Sequence, residues 1–103
     1  RTGATDWDSL RMLYAALLAV APTLGARVAA AVVTARIDGA EAGLAALPAH
    51  AEGFQPYWAA RAGLLAETGQ DAGEAYARAI ALADDDGVIG FLRGRAAAHA
   101  RSH

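Results

Sequence analysis

The chain has no cysteine and no lysine, one methionine, three prolines and few aromatic residues, 7% in all. Without cysteine there is no disulfide, no thiol nucleophile and no thiolate-held zinc, and the composition fits a cytoplasmic setting. Nine basic residues, all arginine, stand against eleven acidic ones for a net charge of −2. No stretch concentrates the positive charge that phosphate backbones demand, so no direct nucleic-acid contact is expected. The longest apolar run, Met12 to Ala26, is broken by Pro22 and Gly25 and closed by Arg27. A membrane span needs about 20 apolar residues, so none is expected. Residues 1–9 lack the basic-then-apolar order of a leader peptide.

Chemistry is scarce as well. There is no GxSxG, no P-loop, no glycine-rich dinucleotide turn and no nucleophile–histidine pair, and the only serines are Ser9 and Ser102. His50, His99 and His103 have no ligand spacing and read as solvated or packing residues. Asp84-Asp85-Asp86 lacks the alternating oxygens and distal Glu of a calcium loop and reads as a helix cap. The expectation is a non-enzyme with no cofactor and no metal.

What remains is alanine-rich amphipathic helix. Apolar residues make up 55% of the chain, much of it Ala, the strongest helix former. Such a core buries little area per residue and needs close helix packing. A single all-α domain over 1–103 follows. The chain starts at Arg1 and its only Met is Met12, so a fragment or processed product of a longer protein is expected.

The clearest segment is Tyr57 to Leu82. Trp58, Ala62 and Leu65 recur at helical spacing, and Gly69 follows where a helix end needs φ > 0. Ala72, Ala75, Tyr76, Ala79, Ile80 and Ala83 then form a second stripe whose small members let two helices approach closely. Around this hairpin the periodicity predicts a first helix from about Asp6 to Val20, capped by Thr5, Asp6 and Asp8, with Trp7, Leu10, Leu13, Tyr14, Leu17 and Leu18 on its inner face. A second runs from about Leu24 to Ile37, capped by Thr23, with Val28, Val32 and Ala35 inward and Asp38-Gly39 at its end. A short third spans Ala40 to Leu47 before Pro48, and residues 48–53 form a loop. The fourth starts near Gln55, with Pro56 in its first turn, and ends at Thr68. The fifth covers Gln70 to Ala83. The sixth follows the three aspartates, with Val88, Ile89, Leu92 and Ala96 inward, and residues 101–103 are expected to fray.

Gly39-Ala40-Glu41-Ala42-Gly43 and Gly69-Gln70-Asp71-Ala72-Gly73 share the pattern G-x-[DE]-A-G thirty residues apart. Each copy follows one long helix and opens another. A recurrent hairpin at this period is the mark of an α-solenoid, and tetratricopeptide units run about 34 residues. The predicted fold is a right-handed tetratricopeptide-like array of about six antiparallel helices, two G-x-[DE]-A-G hairpins plus capping helices at each end. Trp7, Tyr14, Gly39, Trp58, Gly69 and Tyr76 are its structural residues.

The candidate partner-binding residues are Arg11, Phe54, Tyr57 and Arg61. Each arginine sits beside aromatics on a helix expected to line the inner surface, where a guanidinium can hold a carboxylate bidentately. The plainer reading is an intramolecular pair, Arg11 with Asp8 and Arg61 with the turn at Glu67. The inner positions themselves, Asp8, Met12, Ala15, Ala59, Gly63 and Ala66, are small and bland and favour a closely docked helix or strand over a charged tail.

Taken in order, these residues resemble a known arrangement. Asp6-Trp7, Leu13-Tyr14, Ala21-Pro22, Gly39 with Ala42-Gly43-Leu44, and Ala60-Arg61-Ala62 with Leu64-Leu65 carry its first part. Gly69, then Ala75-Tyr76-x-Arg78-Ala79-x-Ala81-Leu82, then Phe91-Leu92-x-x-Arg95 carry the rest. The order is similar to the C-terminal tetratricopeptide-like extension of bacterial extracytoplasmic-function-type RNA polymerase sigma factors. The family has a Pro near Leu24, an Asn-Arg pair at Ala29-Ala30, two more residues between Gly69 and Tyr76, and a Glu at Val88. The resemblance implies a regulatory module in cis to sigma domains that lie upstream, with those domains or RNA polymerase as protein partners. Its contrast is a free-standing tetratricopeptide-like scaffold for an unrelated protein or peptide. Ala-rich end helices also make a homodimer of the isolated domain an expectation.

Overall fold

The computed structural model describes residues 6–102. Six helices and no strand form among them: α1 Trp7–Val20, α2 Leu24–Asp38, α3 Ala40–Ala46, α4 Gln55–Glu67, α5 Gly73–Leu82 and α6 Asp86–Ser102. Each packs on its neighbours in chain order, and α2 also touches α4. The expected all-α class holds.

Local chemistry explains most helix ends. Asp6 caps α1, accepting from the Ser9 N–H at 3.1 Å and the Ser9 hydroxyl at 2.7 Å; Thr5, expected to share that cap, lies outside the described residues. Thr23 caps α2 through the Ala26 N–H at 3.1 Å. Asp85 caps α6, accepting from the N–H groups of Gly87 and Val88 at 2.7 and 3.1 Å. Gly69, at φ +80°, closes α4. The Gln70 N–H reaches the Leu65 carbonyl at 3.0 Å and the Gly69 N–H reaches that of Ala66 at 3.1 Å, the paired bonds of a left-handed glycine terminus. Gly39, at φ +105°, ends α2 and starts α3 in one residue. Arg101 and Ser102, expected to fray, remain helical.

The two pentapeptide copies do not adopt one structure. In the first, everything after Gly39 is already helix. In the second, Gln70, Asp71 and Ala72 form a turn, and α5 begins only at Gly73 instead of the predicted Gln70. The Asp71 carboxylate accepts from the Gly73 N–H at 2.9 Å, while the Ala72 N–H donates to His99 Nε2 at 2.9 Å. These two bonds compete with the helical pattern and win.

The main core joins Ala62, Leu65, Ala72, Ala75, Tyr76, Ala79 and Leu92, with Trp58 and Leu44 packed against it. Tyr76 is buried as expected. α2 is buried on two opposite faces, Val28-Ala31-Ala35 and Ala26-Val33, not on the single stripe predicted, and Val32 is only half-buried. A helix held between neighbours needs two apolar faces. α3 approaches the first of them at backbone range: a Cβ on Gly43 would stand 2.5 Å from that of Ala35 and 3.0 Å from the Ala31 carbonyl.

The largest departure is α1. No residue of it is buried. Leu10, Tyr14 and Leu18 are half-buried, but Leu13 and Leu17, predicted inward, are 60% and 42% exposed. Trp7, expected on the inner face as a structural residue, is exposed as well. On α6, Val88 points outward instead of inward.

Candidate interaction surfaces

The predicted site residues divide. Arg11 pairs with Asp38 at the end of α2, at 2.8 Å, and not with Asp8. Both side chains are about half exposed, so the pair contributes about 0.2–1 kcal/mol. Glu67, the expected partner of Arg61, is instead held by Arg36 through two bonds of 3.3 and 2.7 Å. Arg61 is half-buried and its side chain forms no ion pair or hydrogen bond with any other described residue, Glu67 being taken by Arg36, which leaves its guanidinium available to a carboxylate.

Phe54 and Tyr57 lie together at the start of α4, and the Tyr57 N–H donates to the Phe54 carbonyl at 3.1 Å. Phe54 is half-buried and its ring tip approaches the Gly25 Cα region of α2. Tyr57 sets its ring edge-on to Trp58 with centroids 5.1 Å apart. Trp58 is fully engaged: its Nε1 donates to the Glu52 carbonyl at 2.8 Å, and the Arg78 guanidinium lies 5.1 Å from its ring centroid. Phe54, just before α4, and Tyr57 and Arg61 on it thus follow one another along the chain, while Arg11 is tied to α2.

His99 has a defined role that the sequence did not disclose. It is 10% exposed and its Nε2 accepts the Ala72 N–H at 2.9 Å. The Asp71 carboxylate lies 3.7 Å from the same nitrogen; the shorter bond to Ala72 decides the geometry. His50 is exposed in the loop after Pro48. Among the described residues no three His, Cys, Asp or Glu side chains converge in a metal-holding group, and no helix is long and apolar enough to cross a membrane.

Two surfaces escaped the residue-level reading. One is the outer side of α1, where Met12, Leu13, Leu17 and Val20 are 72%, 60%, 42% and 85% exposed. Its signal was present in the sequence: between Arg11 and Thr23 the only polar atom in any side chain is the Tyr14 hydroxyl, so from Met12 onward the helix is apolar all round, a pattern that normally means burial on every side. The other is an open cleft of about 440 Å³ where the end of α1 meets α2 and Pro48. Leu18, Pro22, Ala31 and Pro48 line it, with Arg27 and Thr34 as its polar groups; the Arg27 Nε is held by the Pro22 carbonyl at 3.2 Å. No protein-family model, curated protein or solved structure matches the chain.

Proposed function

We propose that this chain is a non-catalytic protein-interaction domain, the regulatory tetratricopeptide-like extension of an extracytoplasmic-function-type sigma factor. It acts in the cytoplasm by contacting the sigma domains of its own protein or RNA polymerase, and so modulates transcription initiation without touching DNA. The observation that carries the interaction reading is α1, an end helix that from Met12 to Val20 is apolar on every side and covered on only one. Exposed apolar patches rimmed by polar residues mark interaction sites. The sigma-factor part rests on the ordered residues from Asp6-Trp7 to Phe91-Leu92-x-x-Arg95. Phe54, Tyr57 and Arg61 form a second contact region, with Arg61 as an anchor for a partner carboxylate.

The test is a pull-down of this domain against separately expressed sigma DNA- and polymerase-binding domains. Stoichiometric, salt-resistant capture is expected. Leu13→Glu should abolish it and Arg61→Ala weaken it, while circular dichroism stays unchanged because Leu13 is exposed. No capture of sigma domains, together with stable binding of a different protein, would replace this reading with the free-standing scaffold.

A further inference from the structure

The two end helices of the array carry complementary outer faces. α1 presents bulky apolar side chains, Met12, Leu13, Leu17 and Val20. α6 exposes Phe91 at 62% and Val88 at 40% beside Gly90 and Gly94, and nothing lies within 4 Å of where a Cβ on either glycine would stand. Glycine is a poor helix former, and no group among the described residues fills the room these two leave.

Charge fixes which way such faces meet. α1 opens with Asp6 and Asp8, and exposed Arg27 follows its far end. Asp84, Asp85 and Asp86 lead into α6, and its second half carries Arg95, whose guanidinium lies 5.7 Å from the Phe91 ring centroid, and Arg101, all exposed. Set antiparallel, Asp6 and Asp8 lie toward Arg95 and Arg101, and Arg27 lies toward the three aspartates. Set parallel, every one of these becomes a like-charge encounter. The helix dipoles favour the same antiparallel choice. At about 1.5 Å per residue, 14 and 17 residues give helices of matching length. Two antiparallel copies of α1 would also bring Asp6 and Asp8 toward Arg27, but two bulky faces lack the recess that Gly90 and Gly94 leave on α6.

We propose that α6 of a second copy of this chain docks antiparallel on the outer face of α1, so that copies stack head to tail. The contact is heterologous and does not close into a symmetric pair. One helix face falls short of the roughly 800 Å² per partner of a stable interface, so stacking is weak and concentration-dependent. The inference rests on the reading of α1 as a docking helix and names a second occupant for it; sigma-domain binding and stacking compete for the same side chains.

Sedimentation velocity over a wide concentration range tests it. The wild-type mass should rise past that of a dimer and fall back as salt screens the end charges. Leu13→Glu blocks α1 and Gly94→Leu fills the face of α6; both positions are solvent-facing, so the fold is retained. Each variant alone should stay monomeric, and an equal mixture should form a one-to-one complex that grows no further. Asp8→Arg should weaken stacking, and Arg101→Asp in the same chain should restore it. A wild type monomeric throughout, or a Gly94→Leu variant that associates as well as wild type, overturns the proposal. If the wild type is monomeric yet Leu13→Glu still abolishes sigma-domain capture, stacking is wrong and α1 remains a docking helix.

Discussion

Gly43 illustrates how much one missing methyl group can set. The contact between α2 and α3 is made through backbone, and its cost when disturbed follows from distance: a Cβ 2.5 Å from that of Ala35 cannot be absorbed without moving α3. Gly43→Ala is therefore expected to destabilise the domain by about 1–3 kcal/mol, the usual range for overpacking, although Ala is the better helix former. Urea denaturation measures it, and an unchanged midpoint would mean that α3 shifts freely. Arg36 and Glu67 make the opposite point. They lie 31 residues apart, and no local pattern announces the pair. Arg61 and Glu67 share a helix and are near in the chain; the actual partner of Glu67 comes from another helix, which only packing brings within 2.7 Å.

At the scale of elements, end chemistry was legible and facing was not. Caps at Asp6, Thr23 and Asp85, and the left-handed glycines 39 and 69, act within a few residues of chain, so their signals survive in the linear order. The start of α1 offers a pH test. The Ser9 hydroxyl, and then its backbone N–H, stabilise the ionised Asp6 carboxylate and hold it below its ordinary value of 3.8. A carboxyl depressed in the folded state stabilises above its unfolded pKa, and that contribution is lost as pH falls through the folded one. The Ser9 amide resonance should stay constant from neutral pH down to about 4 and move below it, and Asp6→Asn should remove the transition. A Ser9 amide that titrates identically in Asp6→Asn would exclude this cap as the cause. Facing failed for α1 and α2 for related reasons. A stripe of six apolar residues on α1 identified an amphipathic helix, yet the helix has apolar residues on the other side too, and rotation about its axis is then undetermined by pattern.

For the whole molecule, burial is uneven. The cluster around Ala62, Leu65, Tyr76 and Ala79 ties α4, α5 and α6 together, whereas α1 buries nothing completely. Local opening follows buried contact, so amide hydrogen exchange should be fastest in α1 and slowest in α4 and α5. Binding of sigma domains, or stacking at high concentration, should slow exchange in α1 selectively. Equal protection across all six helices would contradict the weak attachment of α1.

The sequence by itself determined the helical class, the number of helices and nearly all their ends, because helix propensity, capping and the conformational freedom of glycine act over a turn or two. It also carried the ordered residues on which the sigma-factor proposal stands. Tertiary structure decided that one pentapeptide copy is helix and the other a turn held by His99, that α2 has two buried faces, and that α1 turns Leu13 and Leu17 to solvent. These depend on which helix lies against which. Free energy from burial is non-directional, so an apolar side chain declares that it needs cover without saying what will cover it.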